Sequence, residues 1–240
     1  MTIHSFPQNS PRILIIIPCY NEEASIAGLL KQIQEMNLGY DTVVIDDGSV
    51  DRTHEMASSL SPCIKLIANL GIGGAIQTGI KYSIENDYDL CIQVDGDGQH
   101  PPDQIRMLLE KYKASSANLM IGSRFMADSR FRSTPMRRIG IQIISKTIQW
   151  TYRQTITDPT SGFRMMDRKA MRLFSTRYPL DYPEPISLAI AFEEGLVVNE
   201  VPVLMEPRQK GISSITGFKT VSYMLRVVGY LFLIRIGRYV

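Results

Sequence analysis

The chain has 240 residues, 44% of them hydrophobic, with 26 basic and 24 acidic side chains and a net charge of +2. That length suits one ordinary domain whose core needs no disulfide or structural metal. A charge this close to balance excludes nucleic-acid binding driven by bulk charge and leaves local basic patches as the electrostatic feature. The three cysteines, Cys19, Cys63 and Cys91, are odd in number and sit beside apolar segments, as in a reducing compartment. The polar N-terminus does not read as a secretory signal. The most apolar segment, Val227 to Ile234, would span roughly 12 Å as a helix, against about 30 Å of hydrocarbon core. The expectation is a cytoplasmic protein whose membrane contact is peripheral.

In chain order, Ile13-Leu14-Ile15-Ile16-Ile17 reads as a buried strand. Pro18-Cys19-Tyr20-Asn21-Glu22-Glu23 turns the corner, with Asn21 as an N-cap, and Ile26, Leu29, Leu30 and Ile33 stripe the next helix. Thr42-Val43-Val44-Ile45 runs into Asp46-Asp47-Gly48-Ser49-Val50-Asp51 and a helix over Arg52 to Ser59. The acidic pair suits contacts to a ribose or base, or equally a turn capping that helix. Ile64-Lys65-Leu66-Ile67 is a third strand, and Asn69-Leu70-Gly71-Ile72-Gly73-Gly74-Ala75 opens a helix to about Ile84. This glycine loop lacks the Gly-Lys-Ser/Thr ending of a Walker A loop and is not a dinucleotide fingerprint.

Leu90 to Val94 is a fourth strand that stops on Asp95-Gly96-Asp97-Gly98-Gln99-His100-Pro101-Pro102. Residues two apart in an extended chain face the same way, so Asp95 and Asp97 can converge. Two bare carboxylates that close resist joint ionisation. A hard divalent cation removes the conflict, and Mg²⁺ is commonly held by one or two carboxylates plus substrate phosphates. Gln99 can add a carbonyl oxygen. Strand–helix alternation implies a parallel sheet covered on both faces, with ligands at the carboxyl ends of the strands. All four polar clusters fall at such ends.

After a helix over Asp103 to Ala114, the strand Asn118 to Ser123 delivers Arg124. Arg124, Arg130, Arg132, Arg137 and Arg138 then face only Asp128, and arginine forks suit phosphate recognition. Ile139, Ile143, Ile144, Ile148 and Trp150 form an apolar helical stripe, a core face or an interfacial one. Asp158 to Arg164 reads as a compact turn entering Met165-Met166, followed by helices over Arg168 to Phe174 and Glu184 to Glu194 and a late strand, Val197 to Val203. From Phe218 to Ile236 the tail is apolar on most sides with a polar stripe of Lys219, Ser222 and Arg226, which favours a membrane surface. The expected division is a catalytic domain over 1–210 and an amphipathic segment over 211–240.

These motifs together resemble the family 2 glycosyltransferases, inverting enzymes of GT-A fold. They are Ile-Pro-Cys-Tyr-Asn-Glu-Glu (17–23), Val-Ile-Asp-Asp-Gly-Ser-Val-Asp (44–51), Asn-x-Gly-x-Gly-Gly-Ala (69–75) and Asp-Gly-Asp-Gly-Gln-His-Pro-Pro (95–102). The last motif, with Gly-Ser-Arg (122–124), Asp-Pro-Thr-Ser-Gly-Phe-Arg (158–164) and Arg-x-x-Gly-x-Ser (208–213), is similar to the polyprenyl-phosphate branch. The resemblance implies an α/β fold with a mostly parallel central sheet flanked by helices. It implies a nucleotide pocket of Pro18, Tyr20, Glu22, Asp46, Asp47, Gly73 and Asp95, and Mg²⁺ or Mn²⁺ on Asp95, Asp97 and Gln99. It places Arg124 with Arg137 or Arg138 on the acceptor phosphate. Family frequency favours a UDP-linked donor.

The expected reaction is displacement at the anomeric carbon of a nucleotide-sugar by a polyprenyl phosphate, on the inner face of the cell membrane and in cell-envelope synthesis. An anionic phosphate oxygen needs no general base, whereas a sugar hydroxyl does. Members that glycosylate sugar hydroxyls carry Glu-Asp where this chain has Glu184-Pro185, so Glu184 is a candidate base only for a hydroxyl acceptor. The rival readings are that transfer to a polysaccharide hydroxyl, and a non-catalytic nucleotide-binding subunit. The short apolar tail also suits docking to a small membrane protein.

Overall fold

This computed structural model describes residues 11–98, 102–126, 135–204 and 218–237. Strands β1 (Ile13–Cys19), β2 (Asp41–Asp46), β3 (Cys63–Lys65) and β4 (Leu90–Gln93) alternate with helices α1 (Ile26–Glu35), α2 (Thr53–Ser58) and α3 (Gly71–Glu85). Then follow α4 (Gln104–Lys113), β5 (Leu119–Ser123), α5 (Pro135–Tyr152), β6 (Arg164–Asp167), α6 (Arg168–Thr176), α7 (Pro183–Glu193), β7 (Val198–Pro202) and α8 (Phe218–Arg235). The strands form one seven-stranded sheet in the order β3-β2-β1-β4-β6-β5-β7.

Alternate residues of the buried strands feed opposite faces, as strand geometry requires. Leu14, Ile16, Val43 and Ile45 join the core under α3, α6, α7 and α8. Ile13, Ile15, Ile17 and Val44 join the one under α1 and α4. Helix α3 crosses β1 so closely that a Cβ on Gly79 would lie 2.0 Å from Cγ2 of the fully buried Ile16. Gly79→Ala would gain about 1 kcal/mol of helix propensity against an overpacking cost of about 1–3 kcal/mol. Ile16 has no solvent to retreat into, so the clash dominates. A net loss of about 1 kcal/mol is expected in urea unfolding.

Every pairing in the sheet is parallel except the two made by β6. The sequence suggested only a turn there, because four residues bounded by Arg164 and Asp167 carry no alternation. The consequence is directional. Arg164, at the entry of β6, pairs with Gln93 of β4 and Ile121 of β5 near their exits. The turn before β6 is thereby brought to the carboxyl edge of the sheet.

Two capping expectations are corrected. Asn21 does not cap α1, which begins after Ser25. It adopts a left-handed conformation with φ 54°, which Asn tolerates better than most residues, and its Oδ1 accepts from the Val50 N–H at 3.1 Å. The start of α2 is met by Asp51, whose Oδ1 accepts from the Thr53 N–H at 2.9 Å, not by the Asp46-Asp47 pair.

Helix α8 is built into the domain. Its Val227, Leu231 and Ile234 share a core with Ile144 and Ile148 of α5, and the Tyr152 hydroxyl donates to the Leu231 carbonyl at 2.6 Å. The expected boundary at residue 210 falls outside the described residues. No described helix is long and apolar enough to cross a membrane.

Candidate active site

The loops leaving β1, β2 and β3 are stitched together at the carboxyl edge. Backbone N–H groups of Asn21 and Glu22 donate to Ser49 Oγ (2.9 Å) and Thr53 Oγ1 (2.8 Å). The Leu70 N–H donates to Asp47 Oδ1 at 2.8 Å, tying the entry of α3 to the end of β2. Burial pushes the Asp47 carboxyl up, opposed by the N–H groups of Leu70 and Gly71. Asp46 is fully buried; its Oδ1 accepts from the Ser49 N–H at 2.9 Å, and its Oδ2 lies 3.7 Å from His54 Nδ1 and 3.9 Å from Lys65 Nζ. Both carboxylates therefore brace the loops.

Asp95 and Asp97 follow β4 and are half-buried, with Gly96 buried between them. A Cβ on Gly96 would meet Cys19 Sγ at 3.0 Å and the Pro18 carbonyl at 3.1 Å, so glycine lets this loop close on β1. Ser25 Oγ lies 3.0 Å from the Gly96 carbonyl and 2.8 Å from Glu22 Oε2. Gln93, fully buried, brings Nε2 to 3.4 Å from Asp95 Oδ1, and its Oε1 has no hydrogen-bond partner among the described residues. Across the loop, a Cβ on Gly162 would lie 2.6 Å from both carboxylate oxygens of Asp95. The carboxylate rests directly on the backbone of the turn before β6.

That turn is anchored by buried charge. Arg124 is 3% exposed; its Nε donates to Asp158 Oδ2 at 2.6 Å and its guanidinium to Asp158 Oδ1 at 2.7 Å and Thr160 Oγ1 at 2.8 Å. Burial pulls Arg124 down, but Asp158 outweighs it, with Asp95 and Glu184 adding, and the net direction is up. The Thr157 and Asp158 N–H groups donate to the Glu200 carboxylate at 2.7 and 2.8 Å. Burial pushes the Glu184 carboxyl up, against Arg164 and Arg124, with Asp95 adding to the rise. Arg124 and Glu184 thus feel each other and Asp95, and Glu184 also feels Arg164, at one edge of the sheet.

Residues 14–174 match the family described as glycosyl transferase family 2. The chain belongs to this family. It is 31% identical over 216 residues to the UDP-N-acetylglucosamine–dolichyl-phosphate N-acetylglucosaminyltransferase of Methanococcus voltae, covering 80% of this chain and 84% of that one. It is 29% identical over 231 residues to the polyprenol monophosphomannose synthase of Mycolicibacterium smegmatis, covering 90% and 85%. Glucosyl-3-phosphoglycerate synthase from Mycobacterium tuberculosis, solved with Mn²⁺, UDP and phosphoglyceric acid, superposes with a TM-score of 0.71 at 16% identity, covering 95% of this chain and 79% of that one. The GT-A fold expected from the sequence is therefore the fold observed.

In this glycosyltransferase the other expected site residues are scattered in character. Pro18 is buried one residue before the end of β1, while Tyr20 is 46% exposed at the mouth of the loops. Gly73 is buried, and a Cβ there would lie 2.2 Å from the Pro179 carbonyl, so close packing of α3 on that segment explains the glycine. Arg137 and Arg138 are exposed in the first turn of α5. Gln99, Arg130, Arg132 and the 208–213 motif lie outside the described residues. A cavity of 360 Å³ lined by Tyr40, Tyr82 and Tyr88 lies instead at the amino edge of the sheet, beside Leu14 and Asp41.

Asp158, Arg164 and Glu200 were absent from the sequence-derived site. Asp158 and Arg164 carried a signal, since both lie in the motif over 158–164; Glu200 carried none.

Two carboxylates at a strand end fit a hard divalent cation. Among the described residues no group of three or more His, Cys, Asp or Glu is gathered for a metal. A cation on Asp95 and Asp97 would therefore draw further oxygens from substrate diphosphate.

Proposed function

We propose that this glycosyltransferase moves a sugar from a nucleotide-sugar, UDP-linked by family frequency, to a polyprenyl phosphate at a membrane surface. One observation carries the reading. Asp95 and Asp97 stand at the carboxyl edge, with Arg124 close enough to feel Asp95, in a chain matching relatives named for dolichyl and polyprenol phosphates over four-fifths or more of its length.

The nucleotide would lie over the loops after β1 and β2, against Pro18, Tyr20, Glu22 and Asp47. Asp95 and Asp97, with Gln99, would hold Mg²⁺ or Mn²⁺, which when bound offsets charge on the departing diphosphate. A phosphate oxygen of the acceptor forms the new bond to the anomeric carbon as the bond to the diphosphate oxygen breaks. Arg137 and Arg138 would grip that phosphate, while Arg124, paired with Asp158, shapes the site and contributes positive field. No proton must be removed, so Glu184 has no obligatory role.

The membrane part of the reading rests on one face. Met136, Ile139 and Ile143 of α5 are exposed, as are Leu225 and Phe232 of α8 and Ile236 just after it. Trp150, 76% exposed, meets Phe232 edge-on at 5.7 Å. Exposed cations Arg137, Arg138, Lys146 and Arg226 flank the same two helices. Apolar side chains rimmed by cations suit an anionic lipid surface or a small membrane protein.

The test is nucleoside diphosphate release with Mg²⁺ across a panel of nucleotide-sugars, with and without undecaprenyl phosphate in detergent. Release that depends on the lipid phosphate supports the proposal and names the donor. Release indifferent to the lipid favours a hydroxyl acceptor, a reading supported by the place of Glu184 near Asp95 and Arg124. Glu184→Gln separates the two. Turnover within about threefold of wild type is expected for the lipid acceptor, against a loss of about 10²-fold or more if Glu184 is the base.

A further inference from the structure

Arg164 is 1% exposed, and all of its hydrogen-bond acceptors are neutral. Its Nε donates to the Ser161 carbonyl at 2.7 Å, and its terminal nitrogens to Ser187 Oγ at 2.8 Å, the Glu184 carbonyl at 2.9 Å and the Pro159 carbonyl at 3.3 Å. Among the described residues no carboxylate forms an ion pair with it, in contrast to Arg124 with Asp158. Glu184 is close enough to feel its charge but makes no hydrogen-bonded pair with it; a buried charge without a paired counter-charge is costly, so the position needs a reason other than stability. The partners supply one. Pro159 and Ser161 belong to the turn before β6, and Glu184 and Ser187 to the first turns of α7. A planar fork with donors in fixed directions holds two segments in register as no apolar side chain can.

We propose that Arg164 is a positioning residue for the divalent-cation site, acting through Gly162 on Asp95. The inference rests on the reading above that Asp95 holds the cation. Gly162 follows Ser161 directly and forms the wall against both Asp95 oxygens. On its other side the turn is pinned to β5, where Ser161 Oγ donates to the Gly122 carbonyl at 2.6 Å and the Gly122 N–H donates to the Phe163 carbonyl at 2.9 Å. With β5 fixed, Arg164 sets how far the turn leans toward Asp95. Its charge by itself would repel a cation, so charge and positioning predict opposite effects.

The experiment titrates Mn²⁺ into the full chain with UDP or GDP present, counting free Mn²⁺ by electron paramagnetic resonance. Wild type, Arg164→Lys, Arg164→Met and Ser187→Ala are compared, with the folded fraction of each fixed by its unfolding curve. Loss of a residue that orients a ligand weakens metal binding by about 10–100-fold. Both Arg164 variants are expected to bind Mn²⁺ about tenfold more weakly, although only Arg164→Met removes the charge. Ser187→Ala, which deletes one acceptor and keeps the cation, is expected to weaken it about threefold, and it carries the test if the Arg164 variants do not fold. Unchanged affinity in the folded fraction, or tighter binding by Arg164→Met, overturns the inference. Wild type that binds no Mn²⁺ with either nucleotide overturns the metal reading itself, and the inference with it.

Discussion

Asp97→Ala is expected to lower turnover by about a thousandfold or more while moving the melting temperature by only a few degrees. The side chain is half-buried in a loop and belongs to neither core, so its removal opens no apolar cavity. A divalent cation contributes several kcal/mol where charge builds on a leaving group, and each 1.36 kcal/mol is about tenfold in rate. Loss of about 4 kcal/mol thus gives about a thousandfold. Asp95→Asn should differ in kind. Its carboxylate rests on Gly162, so the substitution disturbs the turn as well as the cation, and stability should fall with the rate. Steady-state kinetics at saturating Mn²⁺, beside a thermal melt, distinguishes the two. Turnover of Asp97→Ala within tenfold of wild type would remove the cation from the mechanism.

The contrast between these carboxylates also marks what the sequence can and cannot disclose. Strands β1, β2 and β4 were legible because each is a largely apolar run leading into polar residues. Placing Asp95 and Asp97 at a strand end required only local information. β6 was not legible, because its four residues become a strand by pairing with β4 and β5 on either side. The role of Asp158 was hidden for a related reason. It meets Arg124 from 34 positions away and is held by Glu200 from 42 further on. Asp46, Asp47 and Gly73 were read as ligand contacts from their motifs. Structure adds that one oxygen of each carboxylate accepts a backbone N–H and that Gly73 packs against a neighbouring carbonyl, contacts that brace the loops a nucleotide would lie on. A motif discloses which residues gather at an edge, not the contacts that hold them there.

Asp158→Ala is expected to destabilise the protein by about 3–5 kcal/mol, the usual cost of stranding one member of a buried ion pair. The side chains of Arg124 and Asp158 are 4% and 0% exposed, so solvent cannot take over the arginine when its partner is gone. Asp158 Oδ2 also accepts from the Arg124 backbone N–H at 3.1 Å, so the variant leaves that donor in need of a new acceptor. For a chain of this size about 2–4 °C accompanies each kcal/mol, which puts the fall in melting temperature at roughly 10 °C. Arg124→Met combined with Asp158→Leu should recover much of this loss, since apolar replacement of a whole buried pair is often neutral or better. Turnover of the double variant should nevertheless stay low. Asp158, Thr160 and Gly162 lie in one short turn, and losing the Arg124 bridge leaves it tied to β5 through Gly122 but no longer through Asp158, which loosens the surface beneath Asp95. A stable, inactive double variant would show that the pair shapes the site. Equal recovery of stability and activity would reduce it to a structural anchor.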